Sequence, residues 1–249
     1  YWDTGNYQVK DSGHLSQDYP LETSINNYLT AMHNAYPSQA TIQNHWCIWA
    51  KFTSNWQYDP NDPCDSPDPS KWNPYSVGPI SDNIKVLFVP RAGMILGGYP
   101  VYYFPVEVEH INNWLAGNRR RLLVMCGDTN SGYNSYTNTT LASLGSTMSL
   151  PTSAITIWDS GFSTSRHCPV YQPHNILDGV NYWLDDNVQA INYGYGYPLA
   201  SSLADPSAFS IAIEGQIMLL GCRGFFSYTP TYDTIPEANV KMMLNIINR

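Results

Sequence analysis

Short apolar runs separated by amphipathic segments are the clearest pattern along the chain. Three runs are apolar enough to predict strands that are buried on both faces, as the strands of a parallel sheet are. These runs lie at residues 85–89, 122–125 and 216–220. Weaker strand patterns lie at residues 155–158, 188–193 and 209–213.

Apolar residues at helical spacing lie between and after these runs. The first such set predicts a helix that ends near Gly117, and it consists of Val108, Ile111, Trp114 and Leu115. A short helix is predicted at residues 141–144, and a final helix is predicted to begin at Pro236. Alternating strands and helices predict an α/β fold of three layers, doubly wound around a mostly parallel sheet.

The first 83 residues carry a weaker signal. A helix is predicted over residues 21–36 and a strand over residues 40–50. Residues 53–83 contain six prolines and no periodic pattern, which predicts a Pro/Asp-rich insertion. A length of 249 residues suits a single domain over residues 1–249. We expect it to be part of a longer chain, because residues 1–5 read as a strand already under way.

The order of these segments resembles the class I glutamine amidotransferase-like superfamily, in particular its non-catalytic branches. The similarity lies in the β-α-β unit formed by residues 83–90, the helix to Gly117 and residues 121–128, and then in residues 141–145, 174–180, 197–200, 214–221 and 237–247. The resemblance implies a flavodoxin-like, amidotransferase-like fold. It also implies an accessory domain of a surface, motility or sugar-related protein.

Cys126 falls where the enzymes of that superfamily place their nucleophile, on a turn between a strand and a helix. Such a turn requires small residues two positions before and after the nucleophile. Val124 and Asp128 stand at these positions, and no His-x-Glu sequence follows residue 150. We therefore expect a degenerate site with an inert Cys126. A cysteine-dependent amidase or hydrolase is the alternative.

The degenerate site and the composition together favour a structural or binding module over an enzyme. Charged residues make up 13% of the chain, whereas tyrosine occurs 19 times, a composition typical of extracellular and cell-surface proteins. With 12 Lys+Arg, a net charge of -8 and one basic cluster at residues 119–121, no nucleic-acid partner is expected. No apolar run reaches the ~18 residues of a membrane span. Plausible partners are another protein, further copies of this chain in an assembly, or a glycan.

Three tyrosines alternate with glycines and form the candidate ligand-binding site: Tyr193, Tyr195 and Tyr197. The glycines leave the rings little to pack against, so we expect them to be exposed. Exposed aromatic rings stack on sugars or on partner surfaces, which makes a carbohydrate-binding module a further alternative. Packing within the core is the competing interpretation.

Other candidate sites are an acidic loop within the insertion, a cysteine pair in and just before it, and one sequon at residue 138. Calcium, the one cofactor considered, would be held by oxygen ligands of an acidic loop, namely Asp59, Asn61, Asp62, Asp65 and Asp68. A solvated acidic loop is the competing interpretation. Cys47 and Cys64 are the preferred disulfide pair if the compartment is oxidising. Asn138 begins the one glycosylation sequon, Asn-Thr-Thr.

Overall fold

A computed structural model describes residues 34, 80, 85–89, 93–96, 99–102, 105–127, 131–153, 156–157, 165–169, 174–185, 188–203, 205–221 and 237–248. The predicted strand at residues 40–50 lies outside these ranges. So do the predicted helix at residues 21–36, except for the helical Asn34, and the insertion, except for the buried Ile80. The fold is therefore described from β1 onward.

The described part contains eleven strands, three α-helices and one short 3-10 helix. The strands are β1 Val86–Val89, β2 Gly93–Leu96, β3 Tyr99–Tyr102, β4 Leu122–Cys126, β5 Thr156–Ile157, β6 Ser165–Pro169, β7 Trp183–Asp185, β8 Val188–Gln189, β9 Tyr197–Ser202, β10 Phe209–Glu214 and β11 Ile217–Leu220. The helices are α1 Pro105–Gly117, α2 Ser131–Ser143, the 3-10 helix Asn175–Leu177 and α3 Glu237–Ile247.

Seven strands form one open sheet in the order β1-β4-β11-β10-β9-β6-β7. β1, β4 and β11 are parallel, whereas the four pairings from β11 to β7 are antiparallel. The α/β class is thus confirmed. A mostly parallel sheet was predicted, but the observed sheet is parallel only from β1 to β11 and antiparallel from β11 to β7. The direction changes at Gly215, whose positive φ of 59° allows a tight turn between β10 and β11.

Helices cover both faces of the sheet, which gives the three predicted layers. Alternate residues of β4 enter different cores, because successive side chains of a strand point to opposite faces. Leu122 and Val124 pack in the cluster that contains the buried face of α3. Leu123 and Met125 pack in the cluster that contains Ile111 and Trp114 of α1 and Leu141 of α2. Burial on both faces explains the continuous apolar runs.

The strongest sequence patterns correspond to observed elements. β1, β4, β10, β11, α1 and α3 lie where strands and helices were predicted. The helix predicted at residues 141–144 is instead the 13-residue α2, and the weak strand signals at 155–158 and 188–193 reduce to the two-residue β5 and β8 within the described residues. β2, β3, β6, β7 and β9 were not predicted.

The basic cluster at residues 119–121 forms the corner between α1 and β4. Arg121 is buried, and its guanidinium donates a hydrogen bond to the Trp114 carbonyl oxygen and lies 5.7 Å from the centre of the Trp114 ring. A cation at this place is favourable, because the carbonyl end of a helix carries partial negative charge. Arg121 therefore caps α1 from the inside, while Arg119 and Arg120 are exposed.

Candidate binding site

The most exposed large aromatic side chains of the described residues lie on the turn that leads into β9 and on the first residue of that strand. We call residues 192–197 the tyrosine turn. Tyr195 is 88% exposed and Tyr197 is 75% exposed, while Tyr193 reaches 36%. Neighbouring tyrosine rings of this exposure present a large apolar area, and contiguous apolar area at a surface favours an interaction site.

The backbone of the tyrosine turn is fixed at both ends. Asn192 and Ser149 exchange two backbone hydrogen bonds of 2.9 Å each, which join the turn to the segment after α2. The Gly196 amide donates to the Tyr193 carbonyl oxygen at 2.7 Å and closes the turn. The Gly194 amide donates to the Asn192 side-chain oxygen at 3.2 Å. The tyrosines are thus presented from an ordered backbone.

A glycine is required at position 194 because of the backbone conformation there and because no room is left for a Cβ atom. Its φ of 53° lies in the left-handed region, which residues with a Cβ rarely adopt. A Cβ atom added here would lie 2.5 Å from the Thr147 carbonyl oxygen and would also collide with the Thr147 hydroxyl. The glycine between the first two tyrosines therefore lets the turn lie directly against Thr147.

Glu214, at the end of β10, holds the segment against which the turn rests. Its Oε2 accepts hydrogen bonds from the Ser146 hydroxyl at 2.6 Å and from the Thr147 amide at 2.7 Å. Its Oε1 accepts from the Thr147 hydroxyl at 2.8 Å. That hydroxyl in turn accepts from the Tyr195 amide at 2.8 Å. A chain of hydrogen bonds thus links a carboxylate to the most exposed tyrosine.

The charge of Glu214 is stabilised by these donors. Partial burial would raise the pKa of the Glu214 carboxyl, but the hydrogen bonds from Ser146 and Thr147 outweigh it, and the pKa lies below its usual value. A carboxylate that accepts three such bonds is anchored as a structural acceptor. On the other side of the turn, the Tyr193 ring packs edge-on against Phe209, with 5.1 Å between ring centres.

Replacing Glu214 with Gln is expected to loosen the tyrosine turn. The amide nitrogen of Gln cannot accept the bonds that the carboxylate accepts, so we expect the free energy of unfolding to fall by about 1–2 kcal/mol, near the lower end because the group is partly exposed. Hydrogen exchange at the Tyr195 amide should become faster, which amide-resolved NMR would measure. An unchanged Tyr195 exchange rate would contradict this role for Glu214.

The same contact predicts a pH dependence. The folded-state pKa of Glu214 is depressed, so its stabilising contribution is present above the pKa of an unfolded Glu and is lost as the pH falls through the lower folded value. The unsubstituted protein should therefore lose more stability between pH 5 and pH 3 than Glu214→Gln does. Equal losses would show that the carboxylate is not the group that titrates.

Cys126 lies inside a strand rather than on a turn. It is the last residue of β4, its thiol is not part of a disulfide, and its side chain is 1% exposed in the core that faces α3. Gly127 continues the strand pairing through a hydrogen bond from its amide to the Leu220 carbonyl oxygen at 2.8 Å. Helix α2 begins only at Ser131. Asp128 lies outside the described residues.

A downstream histidine that could have served as a base has a structural role. The Nδ1 atom of His174 accepts a hydrogen bond from the Ile176 amide at 3.3 Å, and His174 thereby caps the 3-10 helix. The Cys126 carbonyl oxygen accepts a hydrogen bond from the Thr137 hydroxyl at 3.3 Å, so α2 fixes the end of β4.

Asn138 of the sequon lies in α2 and is half-buried. Its amide group donates to the Leu150 carbonyl oxygen and accepts from the Leu150 amide, both at 2.8 Å. This pairing fixes the segment that carries Ser146 and Thr147, a role that the sequence did not reveal. Glycosylation at Asn138 stays a prediction.

The other predicted sites lie outside the described residues. They are the acidic loop of Asp59, Asn61, Asp62, Asp65 and Asp68, and the Cys47–Cys64 pair. Within the described ranges, no group of three or more His, Cys, Asp or Glu side chains is arranged to hold a metal ion. In the same ranges, none of the helices has the length and apolar character needed to cross a bilayer.

Comparison with known proteins returned no match. No protein-family model matches the chain, and neither the curated proteins nor the solved structures yielded a similar one. The functional interpretation therefore depends on the geometry described above.

Proposed function

We propose that this protein is a non-catalytic binding module of an extracellular or cell-surface protein, and that the tyrosine turn is its contact surface. The observation that carries the proposal is the 88% exposure of Tyr195 on a backbone that Thr147 and Glu214 hold in place. Exposed tyrosines on an ordered backbone are typical of recognition surfaces, because they offer large contact areas and the backbone loses little freedom on binding.

The proposal includes the amidotransferase-like, flavodoxin-like scaffold. Three parallel strands with helices on both faces are consistent with it, as is the place of Cys126 at the end of β4, the middle one of the three parallel strands. The antiparallel half from β10 to β7 is a departure from a doubly wound pattern. Assembly with a protein partner or with further copies of the chain is the setting that we propose for such a module.

The cysteine-dependent amidase or hydrolase receives no support from the geometry. A nucleophilic thiol has to meet its substrate, and reactive cysteines lie in partly exposed, electropositive surroundings. Cys126 is instead enclosed by apolar side chains of the core that faces α3. An extracellular or surface location remains part of the proposal because of the low charge and high tyrosine content.

Alkylation of Cys126 tests the non-catalytic part of the proposal. In the folded protein at neutral pH, iodoacetamide should modify Cys126 at least about 100-fold more slowly than in the guanidinium-unfolded chain, because reaction has to await opening of the core. Peptide mass spectrometry separates Cys126 from the other four cysteines. Rapid modification of Cys126 in the folded protein would overturn the proposal in favour of the amidase.

A further inference from the structure

We infer that the tyrosine turn binds a neutral carbohydrate. This inference rests on the proposed function, since it assigns a ligand class to the same surface. It requires that Tyr195 and Tyr197 provide the contact area, that the one neighbouring charge, on Glu214, be engaged within the protein, and that the backbone that carries the rings be ordered before binding.

The size of the exposed area favours a small ligand over a protein. A tyrosine side chain can bury roughly 150–250 Å². At exposures of 88% and 75%, Tyr195 and Tyr197 together offer about 250–400 Å². A stable protein interface needs about 800 Å² from each partner, which is more than these two rings supply, so by themselves they suit a smaller ligand.

The charge around the turn favours a neutral ligand. Residues 192–198 and residues 146–150 contain no acidic or basic side chain. Glu214, the carboxylate beneath them, already accepts hydrogen bonds from Ser146 and Thr147, so its oxygens are engaged inside the protein. A cationic ligand finds no exposed counter-charge in these segments, and the net charge of -8 opposes an anionic one.

The fixed backbone favours stacking on sugars. Carbohydrates are strongly hydrated, so a binding surface gains little unless the segment that carries its rings loses little freedom on binding. The hydrogen bond from the Tyr195 amide to Thr147 and the turn closed by Gly196 order the backbone of that segment before a ligand binds. A tyrosine ring also combines an apolar body with a polar hydroxyl, which suits the mixed surface of a sugar.

Titration with neutral oligosaccharides tests the inference. We would follow the folded protein by NMR and isothermal calorimetry with cellotetraose, xylotetraose, mannotetraose, maltotetraose and chitotetraose, and with trigalacturonic acid as the anionic comparison. At least one neutral probe should bind saturably, with a Kd of about 0.1–1 mM because the contact is small. Trigalacturonic acid should bind at least about ten times more weakly.

Variants locate the site. Tyr195→Ala should weaken binding at least about tenfold, while Tyr195→Phe should stay within about threefold, because the ring and not the hydroxyl provides stacking. Tyr197→Ala should also weaken binding. Tyr182→Ala is the matched control, because Tyr182 is 42% exposed beside the edge strand β7, and it should bind as the unsubstituted protein does. Circular dichroism would verify that each variant is folded.

Two results would overturn the inference: no neutral probe binds, or binding survives both Tyr195→Ala and Tyr197→Ala. Either result with an unreactive Cys126 leaves the non-catalytic module in place and removes only the carbohydrate. A reactive Cys126 removes the proposed function itself, whatever the titration shows. The two failures are therefore distinguishable.

Discussion

The Leu123→Ala variant is expected to lose about 3–5 kcal/mol of its free energy of unfolding. Leu123 is fully buried in β4, which lies between β1 and β11 in the parallel half of the sheet. Its side chain packs in the cluster that joins the sheet to α1 and α2. The cavity left by truncation cannot collapse easily, because β4 is hydrogen-bonded on both sides.

Denaturant unfolding measures this loss, and Leu203→Ala is the matched control. Leu203 is 56% exposed beyond the end of β9, so the same truncation there should change the stability by about 0.5 kcal/mol or less. If Leu123→Ala lost no more stability than Leu203→Ala, this result would contradict the burial of β4 between helices on both faces of the sheet.

The parallel half of the fold could be predicted because its strands are apolar throughout. The runs at residues 85–89, 122–125 and 216–220 correspond to β1, β4 and β11, whose residues are all buried. Burial on both faces removes the alternation of polar and apolar residues, and the resulting continuous runs stand out in any sequence. The helices α1 and α3 were found from ordinary amphipathic spacing.

Helix α2 was mostly missed because polar residues occupy its buried face. Asn134 and Thr137 are buried, and both donate hydrogen bonds to backbone carbonyl oxygens. The Asn134 amide donates to Pro151, and the Thr137 hydroxyl donates to Cys126. Asn138 bonds Leu150 in the same way. A pattern of apolar positions detects only the end of this helix, near Leu141, because hydrogen bonds rather than apolar contacts dock the rest.

The antiparallel half was missed for a related reason. β9 buries Ala200, Ser201 and Ser202, which are small residues with weak strand signals. Such a strand is defined by its hydrogen-bonded pairing with the neighbouring strands β10 and β6 and not by its own residues. Sequence patterns report local spacing and carry no information about which strands pair.

The exposure of the tyrosine turn could be predicted from the sequence, whereas the contacts that support it could not. Alternating glycines predicted exposed rings, and the structure exposes Tyr195 and Tyr197; their role in binding stays a prediction. The support from Glu214 could not be foreseen, because 67 residues separate it from Thr147. A carboxylate at the end of an apolar run, next to Gly215, was the available signal.

The Gly221→Ala variant is expected to lose about 3 kcal/mol, because a methyl group at this position meets backbone. The added Cβ would collide with the Gln189 carbonyl oxygen and lie 2.8 Å from Cγ1 of Val188. The strands cannot part easily there, since the Gly221 amide and carbonyl are both hydrogen-bonded, to Ser210 and Gln189. Denaturant unfolding measures the loss. Gly215→Ala is the control for backbone strain alone, because its added Cβ meets nothing within 4 Å, and it should lose roughly 1 kcal/mol.

The Gly221→Ala variant also bears on function, because the close contacts of Gly221 lie near Cys126. Gly127 and Gly221 follow β4 and β11 at the carboxyl edge of the parallel strands, where open α/β sheets bind their ligands. A Cβ on Gly127 would lie 2.5 Å from the Gly221 carbonyl oxygen, so the two backbone segments are in close contact next to Cys126. If Gly221→Ala lost less than about 0.5 kcal/mol, these segments could separate to admit a side chain, and the amidase alternative would gain support. The expected large loss would count against such an opening, and it would be consistent with the tyrosine turn as the proposed contact surface.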